Sequence, residues 1–306
     1  MATAKRSAAL NPRGPRRKLS GRKIAPYLFL APALLFAAVF LIAPLGFSLY
    51  LTFTRWNALS APKWVGLRNY EFLLGDAAFY GSLANTLLFA FGTVALGVPL
   101  ALLLAFGFTQ VKGKAFWRSV YWLPMITNVV AVAYLWEFIL NPTYGLVNWG
   151  LGLLGLPGPQ WLQDPRAAIW AVIVVAVWIG LGQNMVLFSA GLEGIDDTYY
   201  EAAKIDGATT PQIFRHITVP LLRPTLLFVF VTTFIAGMGS FALILVLTEG
   251  GPRNATNVTA LYMYQTAFQD LRLGRASAMA FLLFVIIFLV TLVQLRLFRR
   301  GGVEAY

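Results

Sequence analysis

No cysteine occurs in the 306 residues, and histidine occurs once, at His216. Disulfide frameworks and Cys-ligated metal or iron–sulfur sites are excluded, and a His-based zinc site has too few ligands. Charge is also scarce. Only 12% of residues are charged against 58% hydrophobic, whereas a soluble domain carries roughly 25% charged residues. No G-x-x-x-x-G-K-S/T phosphate loop is present: Gly113-Lys114 is followed by Ala115 and lacks the upstream glycine. The chain is therefore not expected to hydrolyse ATP by itself. The run Gly150-Leu151-Gly152-Leu153-Leu154-Gly155 formally matches G-x-G-x-x-G but has no acidic residue at the right distance. It is expected to be a flexible turn in an outer loop. Glu137 is the only acidic residue clearly inside an apolar run, which argues against a proton- or sodium-coupled carrier. No nucleophile–base–acid set can be assembled from facing positions, so a membrane enzyme is disfavoured as well.

What the chain does have is long apolar runs. Six qualify as ~20-residue spans of a ~30 Å hydrocarbon layer: about 24–52, 83–109, 117–140, 167–190, 218–247 and 276–298. An all-α, polytopic membrane protein is expected, since a helix satisfies its own backbone in lipid. Pro32, Pro44, Pro99 and Pro124 fall inside these runs and are expected to mark kinks. The net charge of +12 does not point to nucleic acid, because the basic residues cluster at the ends of the runs. Counted by alternate loops, Lys and Arg divide 17 to 7. The richer side holds both termini and the loops with Lys112, Lys114, Arg118, Lys204, Arg215 and Arg223. The poorer side holds Arg55, Lys63, Arg68, Arg166, Arg253, Arg272 and Arg275. The positive-inside rule makes both termini cytoplasmic. The first run is too long for a signal-peptide core and reads as a retained helix. Residues 1–23 read as a basic disordered tail, and Arg16-Arg17 within it fits the positive-inside pattern better than a twin-arginine signal. Residues 297–306 form a short cytoplasmic end.

One loop on the richer side, residues 196–224, carries more information. Asp196 and Asp197 can cap a helix and complement its dipole. Glu201-Ala202-Ala203-Lys204 favours helix. Gly207 can take a positive φ and end it, and Pro211 suits the first turn of a second short helix. Phe214 and Ile217 are expected on its apolar face. Pro220 and Pro224 then reshape the approach to the fifth run. The expected result is a helix–turn–helix knob exposing Ala202, Ala203, Ile205 and Gly207, either as a docking surface for another protein or as an amphipathic interface helix.

The segment from Glu201 to Pro224 resembles the EAA loop of ABC-importer permeases, with the pattern E-A-A-x-x-D-G-A-x(5)-F-x-x-I-x-L/V-P-x-x-x-P matched at every fixed position. Further stretches resemble the carbohydrate-uptake, maltose-type branch: Asn85-Thr86, Phe116-Trp117-Arg118-Ser119 with Leu123-Pro124, Gly145-Leu146-Val147-Asn148, and Thr248-Glu249-Gly250-Gly251-Pro252. The likeness covers about residues 24–300, with a permease core at 81–296. Residues 24–80 form the first helix and an outer loop. The resemblance implies a type I importer fold in a bacterial or archaeal inner membrane. It also implies a second permease subunit, a different chain in the family's usual pattern, two ATPase subunits holding ATP and magnesium, and an extracytoplasmic solute-binding protein. This chain would bind no cofactor or metal. Glu201, Ala202, Ala203, Asp206 and Gly207, with Phe214 and Pro220 behind them, would form the coupling element seated on the ATPase. The cargo implied is a sugar or oligosaccharide. Glycerol phosphate or another polyol derivative is the alternative within the same architecture, and a stand-alone secondary carrier the alternative outside it.

A sugar calls for short polar side chains, exposed backbone and an aromatic platform. Asn128, Trp178, Gly180, Gln183, Asn184, Thr233, Gly237 and Ser240 are the candidates. Thr233, Gly237 and Ser240 share one helical face. Where maltose-type relatives carry asparagines in the fifth span, this chain has Gly237 and Ser240. The Gly237–Ser240 patch is open to a second reading, tight helix packing. Trp56, Tyr121, Trp122, Trp161 and Tyr262 are expected as interfacial anchors, and His216 as a surface residue without a titration role.

Overall fold

The structure is a computed structural model that describes residues 21–299 apart from 110 and 112. The N-terminal tail through residue 20 and the last seven residues lie outside the described residues. The chain falls into two compact units, Met1–Tyr50 and Leu51–Tyr306.

The first unit holds α1 (Gly21–Ala37), a π-helical stretch (Ala38–Ile42) and most of α2 (Ala43–Thr52). Pro44 explains the π-helical widening. It has no N–H, and its ring crowds the carbonyl four residues back, so the ladder shifts to i→i−5 and the Ala43 N–H reaches the Ala38 carbonyl. Pro26–Thr52 makes one apolar stretch of 27 residues.

The second unit opens on an antiparallel ribbon, β1 (Thr54–Arg55) with β2 (Lys63–Trp64). This two-residue pairing departs from the all-α expectation. After it come α3 (Arg68–Leu74), α4 (Ala77–Phe108), α5 (Lys114–Ile126), α6 (Val129–Ile139), α7 (Leu146–Leu153) and α8 (Ala168–Glu193). The chain continues through α9 (Asp197–Ile205), α10 (Thr210–Ile213), α11 (Val219–Leu221), α12 (Arg223–Met238), α13 (Ala242–Thr248), α14 (Thr259–Tyr264) and α15 (Leu273–Arg299). At 1.5 Å per residue, the 32 residues of α4 reach ~48 Å, longer than a hydrocarbon layer. α4 is the central post: α8 and α12 pack along it, and Ala90, Val94, Val98, Met185, Phe188, Val229 and Phe234 fill the contact. A second cluster joins Phe89 of α4 to α6, α8, α13 and α14 through Ala133, Val172, Ile173, Ile244 and Leu261.

Two expected spans are not continuous. The third bends by 98° between Phe116–Ile126 and Val129–Ile139, and the fifth by 73° between Thr210–Leu221 and Arg223–Met238. Proline and capping account for both breaks. Pro124 precedes the first, where the Asn128 side chain accepts from the Val130 N–H at 2.8 Å and restarts the helix. At the second, a π-helical stretch (Phe214–Thr218) stands two residues before Pro220, the spacing seen at Pro44. The fifth run is interrupted again after Met238 and resumes at α13. Pro99, by contrast, lies within an unbroken α4. Among the described residues, four helices are long and apolar enough to cross a membrane, and six if each bent pair is one span. Gly150-Leu151-Gly152 is helical within α7, so the expected flexible turn is corrected. Only Gly155, at φ +70°, turns the chain.

Two motifs that lie far apart in sequence form one structural unit. The Asn85 amide donates to the carbonyls of Asn254 and Asn257 at 2.9 and 3.1 Å. The Thr86 hydroxyl accepts from the Thr259 N–H at 2.8 Å. They pin the loop that follows Gly250-Gly251-Pro252, whose Gly251 carbonyl accepts from the Thr256 hydroxyl at 2.6 Å. Beside them, Tyr262 is more than an interfacial anchor: its hydroxyl donates to Asp76 at 2.7 Å, and Asp76 also caps α4 by accepting from the Ala78 N–H.

Two outcomes follow. A Cβ on Gly237 would lie 2.8 Å from the Ala90 Cα and 3.1 Å from its Cβ. Gly237→Val should therefore push α12 off α4 and cost about 1–3 kcal/mol, read as a lower melting temperature in mild detergent. Burial, then the bond to the Asp76 carboxylate and its charge, raise the Tyr262 phenol to about 12. The unfolded phenol ionises near ~10, so the stability it contributes is complete below that value and lost as pH rises through about 12. Ultraviolet titration should show a late tyrosinate step that Tyr262→Phe removes.

Candidate functional site

The loop after α8 folds as its residues dictate. Asp196 accepts from the Thr198 N–H at 2.8 Å and opens α9. The Thr198 hydroxyl and then that N–H hold the Asp196 carboxyl below the usual carboxylate range. The helix closes in a Schellman turn. The Gly207 N–H donates to the Lys204 carbonyl at 3.1 Å and the Ala208 N–H to the Ala203 carbonyl at 2.9 Å. Gly207 sits at φ +76°, which a side chain rarely tolerates. The Gln212 amide oxygen accepts from the Thr209 N–H at 2.7 Å and fixes the start of α10.

The resulting knob has an outer and an inner face. Glu201, Ala202, Asp206 and Gly207 are exposed, and Ile205 is 86% exposed although it is apolar. Ala203, expected on the outer face, is buried. It is the C3 residue of the Schellman turn, and the returning chain covers it. Phe214 and Pro220 are half-buried on the inner side. The Phe214 ring lies 4.9 Å from that of Phe106 on α4. The Tyr200 and Thr218 hydroxyls meet at 3.3 Å and tie α9 to the π-helical stretch. His216 is exposed, with Nδ1 3.0 Å from the Gln212 carbonyl. An ion pair absent from the sequence reading, Arg118 to Glu193 at 2.9 Å, joins α5 to the end of α8 beside the knob. Its members are 75 residues apart, so no local pattern could announce it.

Six of the eight solute-pathway candidates line one cavity of about 300 Å³ on the membrane-helix bundle: Gly180, Gln183, Asn184, Thr233, Gly237 and Ser240. Thr93, Thr232 and Phe89 line it too and were not anticipated. Thr93 lies in the middle of an apolar helix, and only the pairing of α4 with α12 reveals it. Asn184 and Thr233 are hydrogen-bonded across the cavity at 3.1 Å. The other two candidates are elsewhere. The Asn128 side chain is spent on capping α6, and the Trp178 ring stands edge-on to Trp136 at 5.5 Å, outside the lining. Gly237 serves packing as well as the cavity, so the second reading of that patch holds at this residue. No Asp, Glu, Lys, Arg or His is among the lining residues.

Comparison with known proteins fits this geometry. Residues 97–301 match the family described as binding-protein-dependent transport system inner membrane component. The trehalose/maltose transport system permease protein MalF of Thermococcus litoralis is 35% identical, over 90% of this chain and 94% of that protein. The sn-glycerol-3-phosphate transport system permease protein UgpA of Agrobacterium fabrum is 34% identical, over 90% and 94%. Among solved structures, a bacterial ABC transporter involved in the import of the acidic polysaccharide alginate matches at TM-score 0.79 and 26% identity, covering 94% of this chain and 99% of that one. The chain thus belongs to the inner membrane components of binding-protein-dependent transport systems, and it is a permease subunit of an ABC importer rather than an enzyme.

Proposed function

We propose that this permease moves an uncharged sugar or oligosaccharide inward, driven by ATP on separate subunits through the knob at 196–224. The observation that carries the reading is a charge-free cavity, with hydroxyl and amide side chains set among apolar ones, on the same helix, α12, that leaves the knob through a 73° bend. Hydroxyl and amide groups from Thr93, Gln183, Asn184, Thr233 and Ser240 suit a sugar's hydroxyls. Burying a phosphate there without a cation would be costly. That favours a cargo of the trehalose/maltose kind over glycerol phosphate, although relatives of both kinds are similar to this chain.

In this reading the chain crosses the inner membrane six times with both termini in the cytoplasm, as its Lys/Arg asymmetry supports. Residues 81–296 are the transport core. A second permease completes the pathway, a solute-binding protein delivers cargo from outside, and two ATPase subunits holding ATP and magnesium dock on the knob. Glu201, Ala202, Ile205, Asp206 and Gly207 form the contact. Ala203, Phe214 and Pro220 act from behind it, holding the knob to α4 and shaping the bend into α12. Closure of the ATPases displaces the knob, and the bundle rocks between inward- and outward-open states. Each bound partner biases that equilibrium only by its differential affinity.

Gly207→Pro tests the coupling. Proline cannot adopt φ +76° and removes the N–H that reaches Lys204. Uptake in cells should fall to background while membrane insertion and co-purification with the second permease persist. Normal uptake by this variant would remove the coupling role. The cargo is tested by calorimetry of the co-purifying binding protein against a panel of sugars and polyol phosphates. Tight binding confined to phosphorylated ligands would overturn the neutral-sugar assignment.

A further inference from the structure

A second cavity, of about 580 Å³, lies away from the solute cavity. The β1–β2 ribbon, the start of α3 and the start of α15 wall it. Five cations line it, Arg55, Lys63, Arg68, Arg272 and Arg275, and no carboxylate does. They are five of the seven Lys and Arg residues on the cation-poor side of the chain. Topology explains why that side has few cations, but not why those few converge. Arg272 has Asp270 at 4.0 Å, and Arg275 stacks over the Phe72 ring at 3.6 Å. Among the described residues Arg55, Lys63 and Arg68 make no ion pair. The nearby Asp76 is engaged by Tyr262 and the α4 cap.

The walls are held by hydrogen bonds, those of Asn69 buried. The Asn69 amide donates to the Thr52 and Thr54 carbonyls at 2.8 and 2.9 Å. The Trp56 indole N–H donates to the Ser60 carbonyl at 2.7 Å, and the Trp56 carbonyl accepts from the Leu273 N–H at 3.0 Å. The backbone that carries the cations is therefore fixed, and their mutual repulsion is not relieved by letting the loops spread. An anion relieves it, and arginine forks match phosphate oxygens bidentately. Depth selects which anion. The apolar span Leu273–Leu297 begins at this cavity, which puts it at headgroup level. It is also at the end of α4 opposite the knob, since Asp76 opens α4 beside α15 while Phe106 near its other end packs on Phe214.

We propose that this cavity holds the phosphate of an anionic, hydroxyl-bearing phospholipid headgroup, in the leaflet away from the ATPase-docking knob. In the same lining the Asn57 Oδ1 already accepts from the Ser60 hydroxyl, so the Asn57 amide N–H groups, as donors, and the Ser60 oxygen, as acceptor, face the hydroxyls. A choline headgroup would bring a cation into a basic site.

The importer, purified with its co-purifying subunits, is exposed to phosphatidylglycerol or phosphatidylcholine in detergent, and retained lipid is counted by native mass spectrometry. Phosphatidylglycerol should be retained about tenfold over phosphatidylcholine, and Arg68→Gln with Arg272→Gln should abolish the preference. Arg166→Gln, an outer cation that does not line the cavity, should preserve it. Co-purification of the subunits with each variant reports folding. Equal retention of the two lipids overturns the proposal, as does an unchanged preference in the double variant. Displacement by millimolar glycerol phosphate or inorganic phosphate would assign the site to a soluble anion instead. A double variant that keeps the lipid but loses ATPase stimulation by the binding protein would make the patch a protein-docking surface. None of the lipid readouts uses transport, so they stand or fall apart from the cargo assignment.

Discussion

A bilayer core supplies no hydrogen bonds, and every break in a membrane helix must therefore be satisfied from within the protein. This constraint organises the structure. α4 and α8 run unbroken because nothing in them frees a backbone group that helix geometry cannot recover, even at Pro99. At the two sharp bends a side chain takes over a lost bond or the ladder widens: Asn128 caps α6, and a π-helical stretch precedes Pro220. The bends fall in the helices that follow the loop before α5 and the knob. They leave α4 as an unbroken post flanked by bent segments.

The knob is built on the same economy. Its outer face is exposed because its inner face is used: Ala203 is covered by its own Schellman turn, Ile213 is buried, and the Phe214 ring packs at a tilt against Phe106. The knob meets α4 at the Phe214–Phe106 contact and leads into α12 through one bend. In the proposed cycle that short path matters more than any single residue of the knob. A mobile base would absorb the displacement before it reached Thr233 and the bond to Asn184.

Much of this was legible in the sequence, for identifiable reasons. Apolar run length announced the helices, and turn chemistry announced the knob, because Asp196, Gly207 and Pro211 act within a few residues of themselves. What the sequence concealed is non-local. Pro124, Pro220 and Pro224 announced breaks in spans three and five but not their size, because hydropathy is blind to direction and a 98° bend leaves the average unchanged. Ala203 was placed outside because helical periodicity sees one helix at a time, whereas the residue that covers it returns from beyond Gly207. Asn128 and Trp178 were polar or aromatic at plausible depth, but a cap and a ring partner had already claimed them. Thr93, Arg118–Glu193 and the clamp of Asn85 on residues 254–257 became visible only once distant helices met.

The distribution of charge ties the two cavities together. The cavity beside α12 has no charged lining residue, while the cavity at the start of α15 has five cations and no acid. Both are stable arrangements only with suitable surroundings. A charge-free site can desolvate hydroxyls reversibly, exchanging each hydrogen bond to water for one to Thr, Asn or Gln, so cargo is held without a deep trap. A cluster of like charges on a fixed scaffold has the opposite character, since its repulsion makes it favour one strongly bound counter-ion over a weak passing one. A transport pathway needs the first property and an anchor needs the second. That physical difference, more than their separate positions, is the reason to assign passage to the neutral cavity and retention to the basic one.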